Sequence, residues 1–258
     1  MLARGQELNA TTATTLINAT DDAYGLSTSG TAAANATALA AADTAAVSAG
    51  KTLWIPKGSY STTGVTFTSR VYCDVGAIFV ASTGTLAFNG GVEWHTSPHL
   101  TLTGTAVATF SKQKTLVGYA EWWGAVTNSE GTDCKAALNS AIFALVKTQL
   151  MPATYYVSGE VHNNENYHSL IGACANLYST TRSVIRCTSS SSTILTIYGN
   201  YVGLPKVGDI YVDRSVAPLI SSSCVGVKII GAYYAEIFNL ISSESMTGFK
   251  INGTVGTR

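Results

Sequence analysis

Between Leu53 and Phe110 the chain breaks into short runs of strand-forming residues, with Gly, Ser, Thr and Asn between them and no helical stretch to separate them. The runs are Leu53 to Ile55, Gly64 to Phe67, Val71 to Cys73, Ala77 to Val80, Thr85 to Phe88, Gly91 to Trp94, Leu100 to Leu102 and Ala106 to Phe110. Strands this short and this closely spaced fit a sandwich or a solenoid. Long hairpins with strict apolar/polar alternation are missing, which favours the solenoid. Only 12% of the residues are charged and Gly, Ser and Thr crowd the turns, so the expected class is all-β with a few helices.

Internal repetition points the same way. Gly226-Val227-Lys228-Ile229 recurs as Gly248-Phe249-Lys250-Ile251, 22 residues on, within the range of solenoid repeats. The match predicts stacked parallel coils over 161–258, with Ile229 beside Ile251. Gly208-Asp209-Ile210-Tyr211 aligns in the same way with Ala235-Glu236-Ile237-Phe238, the longer offset being absorbed around Ala217-Pro218-Leu219. No polar cap follows Gly248, so the coils are expected to continue beyond this chain or to be covered.

Two segments read as helices. Thr31 to Val47 is Ala-rich, with Gly50 where a helix end favours it. Ala137, Leu138, Ala141, Ile142 and Leu145 share one face, predicting a helix over 133–147 capped by Thr132, with Asp133 at the positive end of its dipole. A strand is expected at Thr154 to Val157, after Pro152. The organisation that follows is a lead-in over 1–20, a first cap-and-strand unit over 21–118 and the start of the main solenoid over 119–258.

Formal net charge is zero and there is no Lys/Arg cluster, which argues against a nucleic-acid partner. No stretch reaches the about 18 apolar residues of a membrane span, and the N-terminus lacks a signal-like apolar run, so membrane insertion is not expected and synthesis in a cytoplasm is. The five cysteines are scattered without C-x-x-C spacing, indicating reduced, buried side chains. His95 and His99 are four apart, but Pro98 argues against the helix that would bring them together, and His162 and His168 read as loop residues; no metal and no cofactor are expected.

Ala120-Glu121-Trp122-Trp123-Gly124-Ala125-Val126, followed by Gly131-Thr132-Asp133 and the second helix pattern, resembles the opening segment of the pectate-lyase-like parallel β-helices of bacteriophage tailspikes. Trp54-Ile55-Pro56-Lys57-Gly58-Ser59-Tyr60 is similar to that family's strand-Pro-x-Gly-x-Tyr turn. The resemblance covers roughly residues 20 to 258. It implies a right-handed parallel β-helix with short capping helices, assembled as a homotrimer in the host cytoplasm and carried in the virion among other phage tail proteins. It also implies a partner in bacterial surface polysaccharide, capsule or lipopolysaccharide, bound and depolymerised by a hydrolase or lyase. A non-catalytic virion adhesin or adaptor, and a secreted pectin-type lyase, are the other readings. The chain departs from the pattern at Ala33-Ala34, where an acidic doublet is missing, before Thr132, where no Gly-Asp-Gly stands, and at Cys134, where a second acid is lost.

Glycoside cleavage uses two carboxylates about 5 to 9.5 Å apart, and equivalent positions on neighbouring parallel strands lie about 4.8 Å apart. The alignment above makes Asp209 and Glu236 such a pair, expected within about 10 Å as acid and base or nucleophile. The plainer reading is two solvated strand-end acids. Asp213 beside Arg214 reads as a surface ion pair. Tyr211, Tyr233 and Tyr234 are the candidate substrate-binding aromatics, whereas Trp122 and Trp123 are assigned to the turn that seats the second helix.

Overall fold

The computed structural model describes residues 15–115, 117–163, 168–174, 181–189, 193–198, 206–214, 225–230, 236–243, 245 and 247–252. Every strand pair among them is parallel. The chain divides into two compact units, Met1–Thr115 and Leu116–Arg258. No helix of the described residues is long and apolar enough to cross a membrane.

The first unit runs β1 (Leu16–Asn18), α1 (Ala32–Ser48), β2 (Thr52–Ile55), β3 (Gly58–Ser61), β4 (Val65–Phe67), β5 (Val71–Cys73), β6 (Ala77–Ala81), β7 (Thr85–Phe88), β8 (Val92–Glu93), β9 (Leu100–Leu102) and β10 (Val107–Phe110). From β2 onward each strand pairs with the one three places on. The result is three sheets, ordered β1-β2-β5-β8, β3-β6-β9 and β4-β7-β10. Each expected run forms a strand, and β1, at the end of the lead-in, adds an edge to the first sheet.

Two local devices explain the spacing. In the Pro-x-Gly-x-Tyr turn the buried Tyr60 donates its hydroxyl to the Pro56 carbonyl at 3.0 Å. A side chain on Gly58 would meet that phenol, its Cβ 2.7 Å from the oxygen, so glycine is required by the closed turn. On the third sheet, Phe67, Phe88 and Phe110 stand in register. Their rings stack at 4.9 Å and 5.1 Å. They recur every 21 and 22 residues, a repeat visible in the sequence although the four-residue matches above did not include it. Each buried Phe contributes about 1.5–3 kcal/mol by leaving water, and its stacking adds about 0.5–1.5 kcal/mol.

Helix α1 is fastened by two buried polar side chains. Thr31 caps it, accepting from Ala34 N, and Gly50 follows with φ +62 in the left-handed region glycine favours. Asn35 donates to the carbonyls of Ser27 and Ser61 at 2.8 and 2.9 Å. Asp43 accepts four hydrogen bonds, from the backbone N–H and hydroxyl of both Thr68 and Ser69. These four hydrogen bonds satisfy both oxygens of the buried carboxylate and tie the helix to the turn after β4.

The second unit runs β11 (Gly118–Tyr119), a 3-10 turn at Ala120–Trp123, α2 (Lys135–Ala144), β12 (Lys147–Gln149), β13 (Thr154–Val157), β14 (Val161–Asn163), β15 (Ser169–Ile171), β16 (Ser183–Cys187), β17 (Leu195–Tyr198), β18 (Lys206–Arg214), β19 (Val225–Ile230), β20 (Glu236–Ser242) and β21 (Thr247–Asn252). Trp122 is buried in the turn, and Gly124 closes it with φ +82. Helix α2 is shorter than the expected 133–147, because Leu145 is already extended and leads into β12. Thr132 is not its cap: its hydroxyl meets Ser129, and Asp133 instead accepts from Lys135 N at 3.0 Å.

The pairs β12-β15, β13-β16, β14-β17 and β15-β18 are again three apart, whereas the later pairs β16-β18, β17-β19, β18-β20 and β19-β21 are two apart; β14-β17-β19-β21 form one sheet. Val227 pairs with Phe249 and Ile229 with Ile251, so the predicted 22-residue register holds. Strand β18 pairs with β20 along one edge and serves two neighbours along the other. Its first part pairs with β15 and its second with β16, and the bend between them falls at Asp209, φ +56. Asn239 on β20 repeats this left-handed backbone (φ +43) and donates to Asp209 Oδ1 at 3.0 Å. Asp and Asn tolerate this conformation better than other non-glycine residues.

Candidate functional site

Alternation along β13, β16 and β18 decides which side chains face out. Tyr155, Ile185 and Val212 pair across the three strands and are fully buried. The next row, Tyr156, Arg186 and Asp213, therefore lies on the opposite face. Arg186 donates from Nε to Asp213 Oδ2 at 2.9 Å, and from Nη2 to the same oxygen. Ser243, just beyond β20, donates to Asp213 Oδ1 at 3.3 Å and shares a 2.6 Å hydrogen bond with the Tyr211 hydroxyl. The Arg182 guanidinium sits over the Tyr211 ring, 4.6 Å from its centre. Two phenols, two guanidinium groups, a hydroxyl and a carboxylate are thus joined along neighbouring parallel strands.

The Arg186 side chain is 29% exposed and that of Asp213 only 6%. Burial works against the Arg186 charge, but the hydrogen bond to Asp213 and the charge of Asp213, with a hydrogen bond that Arg186 donates to the Tyr156 phenol oxygen, outweigh it and hold the guanidinium above its ordinary pKa. Asp213 is therefore a positioned acceptor that orients Arg186. The surface pairing of Asp213 with Arg214 does not form. The buried Arg214 side chain instead donates to the carbonyls of Ser189 and Val225, because Arg214 shares an inward row with Cys187.

The expected equivalence of Asp209 and Glu236 is overturned by the register. Lys206 pairs with Glu236, and the left-handed Asp209 stands level with Asn239. The two carboxylates are three positions out of step, about 10 Å of strand rise. Glu236 makes an exposed ion pair with Lys206 at 2.6 Å. The sequence alignment matched Asp-Ile to Glu-Ile and passed over the bend at Asp209, which is what sets the pairing. Tyr211 belongs to the network just described, its ring largely buried. Tyr233 and Tyr234 lie outside the described residues.

Tyr156, Arg182, Arg186 and Ser243 were not singled out from the sequence. One signal was available: Ile185-Arg186-Cys187 and Val212-Asp213-Arg214 each place a charged residue directly after a β-branched one in a strand-like run. The pairing of opposite charges needed the 27-residue offset between them, which no repeated motif marks.

Other ionisable groups have structural partners. The His99 imidazole is buried between the Ala77 carbonyl and the Ser97 hydroxyl, and burial lowers its pKa. His168 meets the Ile142 carbonyl rather than solvent. Among the described residues no group of three His, Cys, Asp or Glu side chains is placed to hold a metal ion. No protein-family model matches the chain, and neither the curated proteins nor the solved structures contain a match to it.

Proposed function

We propose that this chain is part of a bacteriophage tailspike: a right-handed parallel β-helix with short capping helices, homotrimeric, which binds bacterial surface polysaccharide in the virion tail beside other tail proteins. The observation that carries the reading is the all-parallel pairing of strands, three apart from β2 onward in the first unit and in the opening set of the second, where β12, β13 and β14 meet β15, β16 and β17, with one helix in each unit leading into that set. A chain wound around three faces produces that order, and the turn motifs around Trp54 and Trp122 fit its start. The outward row of Tyr156, Arg186, Asp213 and Ser243 supports binding, since phenols offer apolar area with a polar tip and a fixed guanidinium offers directed donors.

Binding is favoured over cleavage by what the carboxylates are doing. Asp213 is engaged with Arg186 and Ser243, Glu236 with Lys206, and Asp209 with Asn239. Each is held as an acceptor or ion-pair partner rather than as half of a facing pair. The test is an array of purified bacterial capsule and O-antigen polysaccharides probed with the full chain, followed by sizing of any bound polysaccharide after incubation. Arg186→Ala is expected to weaken binding of a recognised anionic polysaccharide about tenfold, the equivalent of about 1.4 kcal/mol, with its chain length unchanged. Shortened polysaccharide would restore the depolymerase reading, and no binding to any member would end the polysaccharide reading.

A further inference from the structure

We propose a second, separate sugar-binding site on the outer face of β1-β2-β5-β8 in the first unit, suited to neutral pyranose chains; it rests on the polysaccharide reading above. Leu53 and Ile55 on β2, and Val71 and Cys73 on β5, are fully buried. The residues between them, Trp54 and Tyr72, are therefore directed outward, and they pair in register. Asn18 pairs with Trp54 on one side and Glu93 with Tyr72 on the other. One outward row thus reads amide, indole, phenol, carboxylate.

The spacing suits a polymer. Neighbouring parallel strands lie about 4.8 Å apart, about the length of one pyranose ring, so a chain laid across the strands meets one aromatic side chain per sugar. Both rings are partly exposed, and the His95 ring meets Tyr72 edge-on with centres 6.1 Å apart. Ring faces take the C–H surfaces of a sugar, while the groups around them take its hydroxyls.

The electrostatics select neutral chains. Arg70 and Glu93 form an exposed pair at 3.4 Å and largely cancel. Burial, reinforced by the nearby Asp74 and Glu93 carboxylates, holds the Tyr72 phenol above its ordinary pKa, so it stays an O–H donor. With Glu93 offset by Arg70, the Asp74 carboxylate remains to repel uronates and other acidic sugars. The row in the second unit, with Arg182 and Arg186 against Asp213, has the opposite balance.

The experiment uses the same array and the full chain, comparing wild type with Trp54→Ala, Tyr72→Ala, Trp54→Phe and Arg186→Ala. Neutral polysaccharides are expected to lose about tenfold in affinity with either alanine variant. Trp54→Phe, which keeps a ring face, should retain most of the binding, and Arg186→Ala should leave neutral ligands unaffected. Thermal melts report whether each variant is folded; if Trp54→Ala is not, Tyr72→Ala carries the test. Wild-type affinity for neutral polysaccharides in folded Tyr72→Ala, or binding confined to acidic polysaccharides, overturns the second site while leaving the general reading intact. Silence of the wild type across the whole array overturns both.

Discussion

The two units fasten a helix to a stack of parallel strands at corresponding places, but with the side chains exchanged. In the first, Asn35 holds the end of β3 through the Ser61 carbonyl, and Asp43 holds the turn after β4 through Thr68 and Ser69. In the second, Asp133 holds the chain just after β13 through Ser158, and Asn139 reaches β14 by accepting from His162 N at 3.1 Å. The lesson is that the fold requires a short polar side chain at each point, able to satisfy backbone groups that the helix leaves without a strand partner. The burial of that side chain differs between the units. The fully paired Asp43 is 3% exposed, whereas Asp133 is near the surface.

The interiors differ more. Phe67, Phe79, Phe88, Trp94 and Phe110 fill the first unit with ring contacts. The second is lined by Ile, Leu and Val and also buries Glu121 and Arg214. Its stability should respond more to pH and less to the loss of any one ring.

The largest effect should come from breaking the aromatic stack. Phe88→Ala is expected to cost about 3–5 kcal/mol, read by equilibrium urea unfolding; a cost below 1 kcal/mol would mean that the ring contacts do not carry the first unit. A middle-sized effect should distinguish the two sets of helix fastenings. Asp43→Ala strands the buried N–H and hydroxyl of Ser69 and should cost about 3 kcal/mol, while Asn139→Ala, partly open to water, should cost about 1 kcal/mol. Equal losses would contradict the burial argument.

The smallest effect concerns pH. Glu121 receives the Tyr155 hydroxyl at 2.6 Å, and its other carboxyl oxygen is buried without a partner. Burial raises its pKa, outweighing the hydrogen bond from Tyr155, which lowers it. A group with a raised folded pKa contributes stability that is complete below its unfolded pKa and is lost as pH rises through the folded value. Asp133 has the opposite sign. Burial pushes it up, but the Ser158 hydroxyl, the N–H groups of Lys135 and Ser158 and the Lys135 charge prevail and lower it. Its contribution is present above the unfolded pKa and is lost as pH falls through the folded one. The difference in melting temperature between Glu121→Gln and wild type should therefore move in favour of the variant from pH 4 to pH 8. A difference that stays constant with pH would remove Glu121 from the account.

Local sequence determined the elements that depend on local rules. Short β-branched runs became strands, Thr31 capped an Ala-rich helix, Thr154–Val157 formed β13, and the glycines at 226 and 248 marked the register of β19 and β21. These follow from backbone preference and from side chains that alternate between two faces. Tertiary structure decided what those rules do not encode. The left-handed residues Asp209 and Asn239 set the pairing of β18 with β20, leaving Asp209 and Glu236 out of step. The same stacking brought Arg186 to Asp213 across 27 residues and Tyr211 to Ser243 across 32. Partners on neighbouring parallel strands are separated by a long crossover of chain. Their meeting therefore depends on the length and bends of every segment between them, which no local pattern fixes.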